Sequence, residues 1–175
     1  MTTFRRVWQM PSPDTFDIPA IGALVMKHMV GVTVDPFARN KRWATYTNDL
    51  NPNTTAEQHL PAVEFLNGLA DRGVTADVVL FDPPYSPRQI VECYESAGLE
   101  VGRDDTQNAR LYADCRRAIR RLCEYDSRVL SFGWNTSGMG EGFELEEVLI
   151  VCHGGAHNDT LCIVERMSQE QRPLL

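Results

Sequence analysis

Ala76-Asp77-Val78-Val79-Leu80-Phe81-Asp82-Pro83-Pro84-Tyr85 decides the reading of this chain. Val78 to Phe81 is a continuous apolar run with two β-branched residues, the pattern of a strand covered on both faces, as in a parallel sheet. Neither Pro83 nor Pro84 can donate to a ladder, so the strand ends there. A residue before proline is pushed toward an extended conformation, which leaves the Asp82 carboxylate at the strand's carboxyl edge. In open α/β sheets that edge is where ligands bind.

Outward from this corner, Gly31-Val32-Thr33-Val34-Asp35-Pro36-Phe37-Ala38 repeats the strand-into-Asp-Pro pattern. Residues 44–52 alternate around β-prone side chains and reach an acid, Asp49, within Asn48-Asp49-Leu50-Asn51-Pro52. Asp17 as a cap and Pro19 in the first turn, with Ile21, Leu24, Val25 and Met29 at helical spacing, predict a helix over 18–29. Ala62, Phe65, Leu66 and Leu69 predict another within 56–69, stopped by Asp71-Arg72-Gly73. Ser86-Pro87-Arg88-Gln89 opens a third helix that runs to about Ser96 and ends at Gly98. Asn108 to Glu124 is a fourth, with Leu111, Cys115, Ala118, Ile119 and Leu122 on one face. Its other face carries Arg116, Arg117, Arg120 and Arg121, which is either an ordinary solvated stripe or a phosphate-contacting surface.

Arg128 to Trp134 reads as a strand feeding the glycine-rich segment Asn135 to Gly142. That segment has no Lys-Ser/Thr ending, so it is not a nucleotide P-loop, and it is either a substrate loop or a plain connector. Val148 to Cys152 and Thr160 to Val164 flank a Gly-Gly turn and predict a closing hairpin. Residues 1–17 read as an arm lying over the domain, and residues 169–175 as a loose tail. Six strand-like runs with helices between most of them predict a three-layer α/β/α domain, its sheet mostly parallel with a C-terminal antiparallel hairpin.

At 175 residues and 43% hydrophobic content, the chain suits one domain with a real core and leaves no room for a second of ordinary size. No run approaches the roughly 18 to 20 apolar residues of a membrane span, and Met1 to Arg6 lacks the apolar region of a signal peptide. The expectation is a soluble, cytoplasmic protein. Five cysteines, widely spaced and without a Cys-x-x-Cys pair, argue against a disulfide framework. Cys152, His153, His157 and Cys162 cluster in sequence, but their spacing fits no common zinc site, so no metal is expected. The net charge of -7 argues against a general nucleic-acid binder while permitting a local basic face.

Asp82-Pro83-Pro84-Tyr85 after a hydrophobic strand resembles the catalytic motif of amino-methyltransferases that use S-adenosylmethionine, chiefly those acting on adenine in DNA. In that family the first strand often ends in Asp-Pro-Phe-Ala-Gly with more glycine following. Here Asp35-Pro36-Phe37-Ala38 is kept, but Arg39-Asn40-Lys41-Arg42 stands where the glycines would be. Side chains in a turn that normally has none imply that the loop takes another path.

The resemblance implies a Rossmann-like methyltransferase fold with S-adenosylmethionine as cofactor. It implies Asp35, Pro36, Phe37, Asp49, Asn51 and, from the arm, Phe16 as cofactor contacts. Asp49 would accept hydrogen bonds from the ribose hydroxyls, the alternative being an Asx-type turn cap. Asp82, Pro83, Pro84 and Tyr85 would be catalytic, acting on an exocyclic amino group, foremost the 6-amino group of adenine in DNA. The same motif pattern serves guanine in ribosomal RNA, and a near relative serves glutamine in proteins. With no segment for target recognition between the two Asp-Pro corners, an RNA target stays open, as does a degenerate chain that only binds a partner. Recognition of the nucleic acid would then fall to a second copy of the chain or to a partner.

Overall fold

The computed structural model describes residues 1–98, 108–135, 137–155 and 157–168. Seven strands form one sheet: β1 (Thr3–Trp8), β2 (Thr33–Asp35), β3 (Tyr46–Thr47), β4 (Ala76–Phe81), β5 (Cys123–Gly133), β6 (Phe143–Cys152) and β7 (Thr160–Met167). Their order across the sheet is β1-β6-β7-β5-β4-β2-β3. Among the described residues β7 alone runs antiparallel to its neighbours, wedged between β5 and β6. The predicted hairpin is therefore present, with its second strand inserted toward the middle of the sheet.

Four helices are described: α1 (Pro19–His28), α2 (Ala62–Asp71), α3 (Pro87–Ser96) and α4 (Asn108–Leu122). Side chains alternate across a strand. Val78 and Leu80 of β4 therefore face one way, where Ile21, Leu24 and Val25 of α1 cover them. Val79 and Phe81 face the other way, beneath Phe65, Leu66 and Leu69 of α2 and Cys115, Ile119 and Leu122 of α4. Both sheet faces are thus covered, which is why β4 reads as an unbroken apolar run.

Two glycines are required by contact as well as conformation. Gly31 has φ +59°, and a Cβ there would lie 2.0 Å from Asp77 Oδ2. Asp77 uses that same oxygen to accept the Val32 N–H at 2.6 Å, joining the start of β2 to β4. Gly138 has φ +49° against the Glu165 carboxylate, which accepts the Met139 N–H at 2.6 Å.

The structure departs from the sequence reading in several places. Asp17 does not cap α1. The helix starts after Ile18 without a side-chain cap, Asp17 sits in a 3-10 turn (Thr15–Asp17), and its carboxylate pairs with Lys41. An orphan N–H of the first turn, that of Ala20, instead donates to Gln9 Oε1 at 2.8 Å. The arm is part strand: β1 pairs in parallel with β6, then residues 9–17 cross the carboxyl edge of the sheet. The helix expected from residue 56 starts only after Pro61. β5 begins at Cys123 with extra residues looped out against β4, where Ser127 Oγ donates to Ala76 O at 2.7 Å and accepts the Glu124 N–H at 2.8 Å.

No helix among the described residues is long and apolar enough to cross a membrane. The predicted tail at 169–175 lies outside the described residues. Leu66 is fully buried under α4, so Leu66→Ala should destabilise the fold by about 2–5 kcal/mol. Urea denaturation followed by circular dichroism measures it, and a loss under ~1 kcal/mol would mean that the α2–α4 layer is loosely packed.

Candidate active site

The parallel order brings the carboxyl ends of β2, β3 and β4 side by side, and a cavity of about 980 Å³ opens above them. Of the residues singled out in the sequence, Pro36, Phe37, Asp49, Asn51, Asp82, Pro83, Pro84 and Tyr85 line this cavity. Asp35 lies beneath it, 2% exposed, with Oδ1 accepting the Phe37 N–H at 3.0 Å. Phe16 does not line the cavity. It is buried against Phe132, ring centroids 5.0 Å apart, and stacks on Trp43 at 5.9 Å.

Asp49 is held by two backbone donors. Oδ1 accepts from Asn51 N at 2.9 Å, the Asx turn that its sequence permits, and Oδ2 accepts from Arg39 N at 3.0 Å. Arg39 occupies a position where the family that the sequence resembles has glycine, and takes φ +49°, the left-handed conformation that glycine adopts freely. The loop therefore closes through the glycine-like backbone with a side chain attached. That side chain points to the arm, where Nη1 pairs with Asp14 Oδ1 at 2.7 Å and donates to Pro13 O.

Asn48 was not singled out in the sequence, yet it ties the rim together. Fully buried, it donates from Nδ2 to Pro36 O at 3.2 Å and Leu60 O at 3.0 Å, and accepts the Leu60 N–H at 3.0 Å. Its backbone accepts from Ala38 N and donates to Asp35 O, both at 2.9 Å. A polar residue directly after the β-prone Tyr46 and Thr47 was the available signal, since a buried amide persists only where all its groups are bonded.

Tyr85 donates its hydroxyl to Asp82 Oδ1 and packs its ring at 60° to Trp134, with centroids 5.5 Å apart. Its backbone N–H donates to Gln89 Oε1 at 2.6 Å, while Ser86 Oγ accepts the Gln89 N–H at 3.2 Å. This close relative of a capping box makes the start of α3 the clamp that orients Tyr85.

The glycine-rich loop leaves β5 beside Tyr85, as expected for a parallel sheet. Its described residues are fastened: Ser137 Oγ accepts from Arg116 Nη2 at 2.7 Å, and Met139 O accepts from Arg120 Nη2 at 3.4 Å. Arg121 pairs with Asp71 at 2.5 Å, and Arg117 with Asp114, so the arginine stripe is occupied by intramolecular partners. Cys152, His153, His157 and Cys162 do not assemble. The two His153 ring nitrogens lie 2.8 Å from Gln9 O and 2.9 Å from Thr160 Oγ1. No group of three or more residues fit to hold a metal occurs among the described residues.

Crowding sets the electrostatics. Burial pushes the Asp35 carboxyl up to about 8, the Phe37 N–H opposes this, and the charges of Asp82 and Asp49 push it further up. Burial also raises Asp82, against hydrogen bonds from the Tyr85 and Thr15 hydroxyls and the positive charge of Arg39. Tyr85 in turn is raised, first by burial and then by the Asp82 charge.

The sequence matches no family model and no curated protein. Among solved structures it is similar to TrmN from Thermus thermophilus, with a TM-score of 0.53 and 16% identity. The alignment covers 86% of this chain and 49% of that one, so this chain spans about half the length of TrmN. The fold is the Rossmann-like methyltransferase fold. Within it, β2 and β3 stand on one side of β4, and the reversed strand β7 stands beyond β5.

An Asp35 carboxyl that ionises near 3.8 in the unfolded chain and near 8 in the folded one keeps its proton through that window only when folded. Its contribution to stability is therefore complete below about pH 4 and is lost as pH rises through 8. Asp35→Asn keeps an acceptor for Phe37 N–H and removes the titration. Thermal melts should show the variant gaining on the parent as pH rises from 5 to 9; a difference that does not change with pH would contradict the assignment.

Proposed function

We propose that this chain transfers a methyl group from S-adenosylmethionine to an exocyclic amino group of a nucleic-acid base, the 6-amino group of adenine in DNA being the target that the Asp82 corner resembles. The observation that carries the reading is an acid followed by two prolines and a tyrosine at the carboxyl end of β4, opening onto a large cavity whose other wall holds Asp49.

The residues present suit that cofactor. Each Asp49 oxygen has one lone pair engaged by a backbone N–H and another uncommitted, so two neighbouring ribose hydroxyls find two acceptors. Phe37, Ile90 and Val63 supply apolar wall for the adenine ring. When bound, S-adenosylmethionine supplies an electrophilic sulfonium methyl.

A base amino nitrogen is a poor nucleophile because its lone pair is delocalised into the ring, and it gains positive charge as it attacks. The Asp82 carboxylate and the Pro83 carbonyl accept its hydrogens and place negative potential where that charge develops. Paired prolines fix the direction of that carbonyl. At rest the Tyr85 hydroxyl occupies the Asp82 oxygen that the amine needs, so Tyr85 turns aside as the base arrives and offers its ring face for stacking. A base inside a duplex must be turned out of the stack to reach this corner. RNA amines meet the same geometry. With a net charge of -7, selection of the polymer falls to a local basic surface, a second copy of the chain or a partner.

Labelled-methyl incorporation into duplex DNA, single-stranded DNA and RNA tests the reading. Incorporation into DNA adenine supports it in full, and incorporation into RNA alone moves the target and keeps the chemistry. Asp82→Ala should lower the rate by roughly 100-fold or more with cofactor binding intact. Tyr85→Ala should weaken substrate binding by about 1–3 kcal/mol. An Asp82→Ala variant as fast as the parent overturns the mechanism.

Asp82 works as the carboxylate, and burial lifts its pKa, so activity should fall as pH drops through a value above the ordinary carboxylate range. A pH–rate profile whose acid limb lies at an ordinary carboxylate value would contradict this.

A further inference from the structure

The cations after Ala38 have no counterpart in the glycine turn that they replace. Arg39 takes the left-handed conformation that glycine adopts freely, with φ +49° and its N–H on Asp49 Oδ2. Arg39 meanwhile lines the same cavity as Pro13, Asp49 and Asp82. Both side-chain contacts of Arg39 with the arm, to Asp14 and to Pro13 O, use Nη1. A guanidinium carries five donor hydrogens in a planar fork, so among the described residues Nε and Nη2 remain to offer an anion in the cavity.

The pairing with Asp14 is itself exchangeable. The two side chains are 55% and 35% exposed, and an ion pair this open contributes little to stability. The cavity is otherwise acidic, with Asp49, Asp82, Glu92 and Asp114 on its walls, so a ligand carboxylate needs a cation to meet it. Among the described residues two arginines line it. Arg110 lies 3.8 Å from Asp114 on α4, whereas Arg39 sits close enough to Asp82 for its charge to act on that acid. The sulfur of the cofactor must approach Asp82 for transfer to occur, and its carboxylate is only a few bonds away from the sulfur. Of the two described arginines, the one whose charge acts on Asp82 is Arg39.

We propose that Arg39 binds the carboxylate of the cofactor's methionyl end, exchanging Asp14 for it. This rests on the methyltransferase reading above and adds to it the residue that tells a cofactor with an amino-acid end from one without. The pairing is planar and can be two-pronged, which a lysine could not reproduce.

Calorimetry with two ligands tests it. S-adenosylhomocysteine keeps the carboxylate and has no methyl to transfer, while 5′-methylthioadenosine lacks the amino-acid end altogether. Arg39→Gln should weaken S-adenosylhomocysteine binding on the order of 10- to 100-fold, the worth of hydrogen bonds to a charged group, and leave methylthioadenosine within about twofold. Arg39→Lys should fall between the two, and Asp14→Asn should bind S-adenosylhomocysteine at least as tightly as the parent. A thermal melt on each variant checks that it is folded.

Equal losses for both ligands in Arg39→Gln would make Arg39 a wall residue that only positions the arm, and would overturn the proposal. A selective loss in Arg110→Gln instead would overturn it in favour of Arg110. Binding of neither ligand by the parent chain would overturn the methyltransferase reading and this assignment with it, an outcome distinct from the other two.

Discussion

The hydrogen bond from Val32 N–H to the Asp77 carboxylate, made across the bare Cα of Gly31, is the constraint on which the rim depends. Together with the Asp77 N–H donating to Val32 O at 2.8 Å, it locks β2 against β4 in one register, Thr33 beside Val78 and Val34 beside Val79. A slip of one residue would turn Val34 from the α2–α4 side to the α1 side and carry Asp35 away from its buried site. In the register observed, two short strands deliver their proline-bounded acids to the same edge, and β3 adds a third through its own pairing of Asp35 with Thr47.

Three carboxyls gathered in so small a volume repel one another, and the fold treats each differently. Asp35 is buried and, with a pKa of about 8, keeps its proton at neutral pH. Asp49 is met by two backbone N–H groups and stays half-exposed at the cavity wall. Asp82 shares its hydrogen bonds with hydroxyls, which can leave, in place of backbone donors, which cannot. A group held by removable partners is the one suited to exchange them for a ligand.

What was legible in the sequence is what rests on local pattern. The unbroken run from Val78 to Phe81 encodes a strand covered on both sides, and the two Asp-Pro corners mark strand ends on one rim. The third and fourth helices follow from Ser86 capping and from the apolar spacing of Leu111 to Leu122. What was illegible rests on partners remote in the chain. Asp17 looked like the cap of α1, but Gln9 supplies the hydrogen bond from the arm, a pairing that no local rule anticipates. β1 carries Arg5, Arg6 and exposed aromatics because it lies at the sheet's outer edge, so it lacks the apolar pattern of an inner strand. Asn48 and Arg39 escape for the same reason, since their roles consist of bonds to other loops.

The N-terminal segment does three jobs with one stretch of backbone. Its strand zips onto β6 at the far margin of the sheet, Gln9 secures the first turn of α1, and Pro13 and Thr15 wall the cavity. Load placed at one end of such a strap is carried to the other. A molecule wedged between the strap and the Arg39 loop would therefore slow hydrogen exchange at the amides of β1, several strands distant from anything it touches.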